Sequence, residues 1–295
     1  MRLLQGHRWA VRAVAYPPGD PATLTSAGDD GPVRLWNVTS GEQWGSLPGH
    51  RSGTLALAFS PSGAQLVSAG RDGHLRLWDM AAQRQAEVLG LACGPLSVVA
   101  FAPDGRVVLT AQTVQRLGEP GRLYFWQPAR HDNEGHTWAA GVRAVAFTPE
   151  GDAVAVADAG HVVQVWDRGL TAAQAHRRCV HAVTHLAFAP PEAGRLLAVA
   201  TGTAVELWDV AADALRAVCR GHRGEVRSVA FGPDGQTVLS GAADHTARLW
   251  ETATGQELAV WDWKLGRVFT VAVSPDGTTA AAGGEKPGVV VWDLD

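Results

Sequence analysis

The sequence predicts an all-β fold assembled from copies of one unit, and three observations carry the prediction. Trp36, Trp78, Trp126, Trp166, Trp208, Trp250 and Trp292 are separated by 42, 48, 40, 42, 42 and 42 residues. The approach to each tryptophan recurs, as in LTSAGDDGPVRLWN (24–37), LVSAGRDGHLRLWD (66–79) and LSGAADHTARLWE (239–251). Apolar residues alternate or form short runs bounded by Pro-Asp-Gly and Gly-Asp-Gly turns, a period of two rather than 3.6, so each unit reads strand, turn, strand, turn, strand. A fixed period of this length marks repeats that bury their apolar faces only against one another.

Taken in order, the units share a second phrase nearer their start. It reads VRAVAYPPGD from Val11, LALAFSPSG from Leu55, SVVAFAPDG from Ser97, VRAVAFTPEG from Val142, VRSVAFGPDG from Val226 and TVAVSPDG from Thr270. Gly-His pairs stand ahead of it at Gly6-His7, Gly49-His50, Gly135-His136 and Gly221-His222, with Ala175-His176 a degenerate fifth. Units one, two and six keep a Ser-to-Asp gap of four and an Asp-to-Trp gap of six: Ser26, Asp30, Trp36; Ser68, Asp72, Trp78; Ser240, Asp244, Trp250. The others depart from this pattern. Unit three has Gly90-Leu91-Ala92 in place of Gly-His and about six extra residues before its tryptophan. Unit four has Gly160 at the Asp position and Asp158 two residues earlier, unit five has Gly202, and unit seven has Lys264 near the His position and Lys286 at the Asp position.

These residues resemble the WD-repeat family, whose unit runs from Gly-His to Trp-Asp and builds one four-stranded blade of a β-propeller. The resemblance covers the whole chain. It implies an all-β, seven-bladed β-propeller of four-stranded antiparallel blades, a single domain spanning 1–295. An open last blade would leave a bare edge strand. Because the chain given ends three residues after Trp292, residues Arg2 to Gln5 are expected to pair with the strand around Val289 to Trp292 and fasten the ring.

The resemblance also implies that His7, Ser26, Asp30 and Trp36, His50, Ser68, Asp72 and Trp78, and His222, Ser240, Asp244 and Trp250 form buried hydrogen-bonded sets. Ser, His and Asp are the parts of a hydrolase triad, but three copies at equivalent positions argue for structure, since catalysis needs one site with an exposed nucleophile. No catalytic residue is assigned.

Composition narrows the function. With 25 basic and 29 acidic side chains the net charge is −4, which offers no attraction to nucleic acid or an anionic membrane. No apolar run approaches the ~18 residues of a spanning helix, and no secretory apolar region follows Met1. Cys93, Cys179 and Cys219 are odd in number and widely spaced, which fits a reducing compartment, and the cytoplasm is the expected location.

The family resemblance implies a rigid, non-catalytic platform that binds a protein or peptide on its top face, where the loops after Gly-His and the turns before the third strand meet around a channel. There the sequence places Arg8, Trp9, Arg51, Arg71, Trp138, Arg177, Arg178, Arg223, Glu225, Lys264 and Arg267. Arg12, Arg143 and Arg227 lie at equivalent first-strand positions near the channel, and Asp29, Glu119 and Glu285 are acidic neighbours. Arg and aromatic residues favour interfaces, and Arg forks suit carboxylate or phosphate groups, so the expected partner carries acidic or phosphorylated groups. The protein is expected to be a monomer without cofactor. The insertion at 113–121 is expected to project from the top face.

Two alternatives stay open: a regulatory or sensor module of a larger polypeptide, and an enzyme or metal-binding propeller using the channel. The metal reading rests on His176, Cys179, His181 and His185, zinc-type ligands that alternating strand geometry prevents from all converging.

Overall fold

The computed structural model describes residues 1–90, 94–112, 120–128, 132–138 and 141–294. It is a seven-bladed β-propeller in which every blade is a four-stranded antiparallel sheet. Blade one comprises Val11–Ala15, Thr23–Gly28, Val33–Asn37 and Gln43–Leu47. Blade two comprises Thr54–Phe59, Gln65–Gly70, His74–Asp79 and Arg84–Gly90. Blade three follows with Leu96–Phe101, Val108–Gln112, Gly121–Gln127 and Asp132–Trp138. Blade four holds Val142–Phe147, Ala153–Asp158, Val162–Asp167 and Ala173–Arg178. Blade five holds Val183–Phe188, Leu196–Thr201, Ala204–Asp209 and Ala214–Arg220. Blade six holds Val226–Phe231, Thr237–Ala242, Ala247–Glu251 and Glu257–Trp261.

Blade seven supplies only three strands in sequence, Val268–Val273, Thr279–Gly284 and Val289–Asp293. Its fourth is Arg2–Leu4, antiparallel to the third, with Arg2 opposite Val291 and Leu4 opposite Val289. The expected closure is therefore present. Leu4 is fully buried in the apolar layer between blades seven and one, so the clasp is packed as well as hydrogen-bonded.

The core is seven layers, one between each pair of adjacent blades. Each repeated tryptophan faces the preceding blade: Trp78 packs against Ala27, Val33 and Leu47 of blade one, and Trp250 against Ala198, Leu207 and Cys219 of blade five. Second strands such as Leu196–Thr201 are buried along their length because neighbours cover both faces. That explains their continuous apolar runs.

Each first strand has a register shift after its first residue, as between Val226 and Ser228. In part of the ring, side chains of the preceding blade's first strand accept from the amides nearby. Val14 N–H donates to Thr270 Oγ1 at 3.2 Å, Val271 N–H to Ser228 Oγ at 3.2 Å, and Val229 N–H to His185 Nδ1 at 3.3 Å. Blades five, six, seven and one are thereby linked around the channel. The equivalent residues elsewhere are Ala13, Ala56, Val98 and Ala144, which carry no acceptor.

Candidate functional site

The three repeated polar sets form as the resemblance implies. His7 Nδ1 lies 2.8 Å from Asp30 Oδ1 and its Nε2 2.6 Å from Ser26 Oγ, which accepts the Trp36 indole N–H at 2.7 Å. In blade two His50 meets Asp72 at 2.8 Å and Ser68 Oγ at 2.8 Å, and Trp78 donates to Ser68 at 2.9 Å. Blade six repeats this with His222, Asp244, Ser240 and Trp250. A neutral imidazole completes the chain: indole N–H to Ser, Ser O–H to Nε2, Nδ1–H to carboxylate. Burial pushes His50 and His222 below the ordinary imidazole range, against the pull of Asp72 and Asp244. Burial raises Asp30, but His7, the Arg8 N–H and Arg34 outweigh it and hold the carboxyl at about 2; Asp244 is likewise lowered to about 2.

Sequence reasoning missed a fifth member. Arg34 pairs with Asp30 and Gln43, Arg76 with Asp72 and Gln85, and Arg248 with Glu257 and Thr246. The signal was the Arg-Leu-Trp tripeptide of the third strand. The glycine before each histidine also has a cause: a Cβ at Gly6 would lie 2.9 Å from the Trp36 ring, and one at Gly221 3.1 Å from that of Trp250.

In the other blades the set is incomplete, and in blades four and seven further tryptophans pack on the repeated one. The residue four before the first strand, histidine in the complete sets, is Trp138 in blade four, Cys179 in blade five and Lys264 in blade seven. The serine position, two after the residue opposite the tryptophan, is Thr110, Val156, Val199 and Ala282 in blades three, four, five and seven. The indole N–H groups of Trp126, Trp166, Trp208 and Trp292 accordingly have no acceptor among the described residues. Trp138 meets Trp166 edge-to-face at 5.5 Å, and Trp263 lies 4.1 Å from Trp292, with Trp261 stacked on Trp263 and 5.4 Å from Trp292.

This placement corrects part of the expected top-face set. Trp138 is a half-buried packing residue between blades three and four. Gly135-His136 and Ala175-His176 lie inside fourth strands, where His136 faces Phe125 at 5.4 Å, rather than in the loops. Arg177 pairs with Glu206 of blade five at 2.8 Å and staples two blades, while Arg178 ends the same strand exposed. His176, Cys179, His181 and His185 do not gather: no group of three or more metal-ligating side chains occurs among the described residues. Burial raises the Cys179 thiol to about 11, and His185 is committed to Val229. Of the insertion at 113–121, residues 113–119 lie outside the described residues, as does Cys93.

The top face otherwise assembles as a basic surface. Arg8, Arg51 and Arg223 follow the three histidines, are exposed, and enter no ion pair with a described residue; Trp9 is 65% exposed beside Arg8. Lys264 is exposed in the neighbouring loop. Arg71 shares Asp29 with Arg12, at 2.8 and 2.7 Å, Arg267 pairs with Glu285 at 2.8 Å, and Glu225 with Arg227 at 2.6 Å. Blades six, seven, one and two therefore present a basic sector in which the carboxylates Asp29, Glu225 and Glu285 are each taken up by an arginine. The opposite end, formed by the turns between first and second strands, carries Asp20, Asp104, Asp152, Asp234 and Asp276. The molecule is polarised along the ring axis.

The channel between the first strands encloses about 320 Å³. Its mouth is ringed by the second residue of each first strand: Arg12, Leu55, Ser97, Arg143, Thr184, Arg227 and Phe269. The Arg12 guanidinium lies over the Phe269 ring at 4.4 Å.

Sequence comparison agrees with this geometry. The model of the WD40 family, "WD domain, G-beta repeat", matches residues 1–37, 41–79, 129–167 and 214–251, just over half of the chain. The periodic tryptophan protein 2 homolog of Dictyostelium discoideum is 38% identical over 61 residues, 21% of this chain and 6% of that protein. Protein transport protein sec31 of Schizosaccharomyces pombe is 45% identical over 51 residues, 17% of this chain and 4% of that protein. The similarity thus spans a small fraction of either relative's length.

Proposed function

The chain belongs to the WD-repeat family, and on that premise we propose that it is a non-catalytic scaffold whose basic top-face sector binds a protein or peptide bearing acidic or phosphorylated groups. The observation that carries this reading is the set Arg8, Trp9, Arg51 and Arg223: exposed, on one face, and without ion pairs to the described residues in a protein of net charge −4. Charges that serve only the fold are neutralised nearby, as Arg34 and Arg177 are. Aromatic and arginine side chains supply most hot spots, and a polarised charge distribution orients an acidic partner as it approaches. The repeated Ser-His-Asp sets support a structural role, because Ser26, Ser68 and Ser240 are fully buried and already accept an indole N–H.

The test is affinity capture with the wild type and with an Arg8→Glu/Arg51→Glu/Arg223→Glu variant of equal melting temperature. Partners specific to the wild type and lost from the variant support the reading. Equal capture of the same proteins refutes it. A second reading, a module working within a longer polypeptide, is favoured by the small share of each relative that the match covers. The size of the native protein detected by antibody decides between them.

A further inference from the structure

Three of the seven positions at the channel mouth are arginines, contributed by blades one, four and six, so guanidinium groups approach the axis from well-separated directions. Two of them are held in place. Arg12 gives its Nε and Nη2 to Asp29 and rests on Phe269, leaving Nη1 uncommitted. Arg227 is paired with Glu225. Arg143 differs: it is exposed and makes no hydrogen bond or ion pair with any described residue. Asp29 also serves Arg71, so four guanidiniums face two carboxylates, and two positive charges are left over beside the low-dielectric walls of Leu55 and Phe269. Such a funnel concentrates anions, and planar guanidinium forks match the oxygens of phosphate and carboxylate.

We propose that the channel mouth is a binding site for a compact, multiply charged oxyanion, phosphate or polycarboxylate, with Arg143 as its anchor and Arg12 and Arg227 as flanking donors. The cavity of about 320 Å³ exceeds a single anionic group, which leaves room for the chain or ring that bears it. The site deepens the scaffold reading and rests on it for the source of the anion: a group borne by the partner that Arg8, Arg51 and Arg223 engage.

Sodium pyrophosphate and citrate serve as probes in isothermal titration at constant ionic strength, against the wild type, Arg143→Gln and the triple rim variant. Arg143→Gln removes the charge from an exposed side chain that holds no other group, so the fold is unaffected. The wild type should bind at least one probe saturably, Arg143→Gln should weaken binding at least tenfold, and the rim variant should still bind saturably, with the weaker attraction expected from its added negative charge. Tighter binding of pyrophosphate identifies phosphate as the source chemistry, and of citrate, carboxylate. Absence of saturable binding to either probe, or equal affinity in Arg143→Gln, overturns the site. Because the rim variant keeps the mouth intact, failure of partner capture and failure of anion binding are read separately.

Discussion

His185 Nδ1 accepts the backbone N–H of Val229 across the boundary between blades five and six, at 3.3 Å inside the channel. The bond requires an unprotonated nitrogen, and burial lowers this imidazole to about 4. It continues a run in which Ser228 accepts from Val271 and Thr270 from Val14. Three adjacent blade boundaries thus share a side-chain-to-amide bond between first strands, which Ala13, Ala56, Val98 and Ala144 do not supply at the others.

The sign of the pH effect follows. A histidine near 4 when folded and about 6.5 when unfolded stabilises fully at neutral pH, and the contribution is lost as pH falls from about 6.5 toward 4. Between pH 7 and 5 the loss from His185 is about 2 kcal/mol by linkage, and the lowered His50 and His222 act in the same direction. Chemical denaturation should therefore show falling stability over this range. His185→Gln should show a visibly shallower decline, and an unchanged slope would refute the assignment.

Removing residues 1–5 should lower the melting temperature of the entire ring. The deletion exposes the edge of Val289–Asp293 and empties the place of Leu4, whose burial alone is worth about 2 kcal/mol. Equal melting curves for the two proteins would show that the clasp contributes nothing.

Asp72→Ala leaves His50 Nδ1 without its carboxylate in a buried setting, at a cost of about 1–3 kcal/mol. Urea denaturation measures it, while pyrophosphate affinity should not change because Asp72 lies away from the channel. Loss of anion binding without loss of stability would contradict the structural role.

Ala282 occupies in blade seven the position that Ser26, Ser68 and Ser240 hold elsewhere, below the unpaired N–H of Trp292. Ala282→Ser supplies an acceptor and should add about 1 kcal/mol. A lower denaturation midpoint would mean that the hydroxyl is not received there.

Arg177 and Arg223 separate packing charge from surface charge. Arg177→Ala breaks the partly buried pair with Glu206 and should cost about 1 kcal/mol without affecting partner capture. Arg223→Ala should leave stability within about 0.5 kcal/mol and weaken capture. Stability measured beside capture for both variants decides this, and the reverse pattern would assign the surface wrongly.

The family resemblance implied the four-stranded blades, the buried bonding of three polar sets and a closing strand from Arg2 to Gln5, of which Arg2–Leu4 pairs; what the sequence by itself determined was the sevenfold repeat, its strands and turns and the spacing within those sets. These depend on local periodicity and fixed spacing, which hydrogen-bonded strands and tight turns translate directly into geometry. It could not distinguish Gly135-His136 from Gly6-His7, because the two dipeptides are alike and only register places one inside a strand and the other in a loop. Tertiary structure alone decided that Trp138 fills a histidine's place, that Arg177 is spent on Glu206, and that His185, Ser228 and Thr270 stitch one half of the channel. Contacts between blades join residues about forty positions apart, and no local pattern records which side chain meets which amide until the ring has closed.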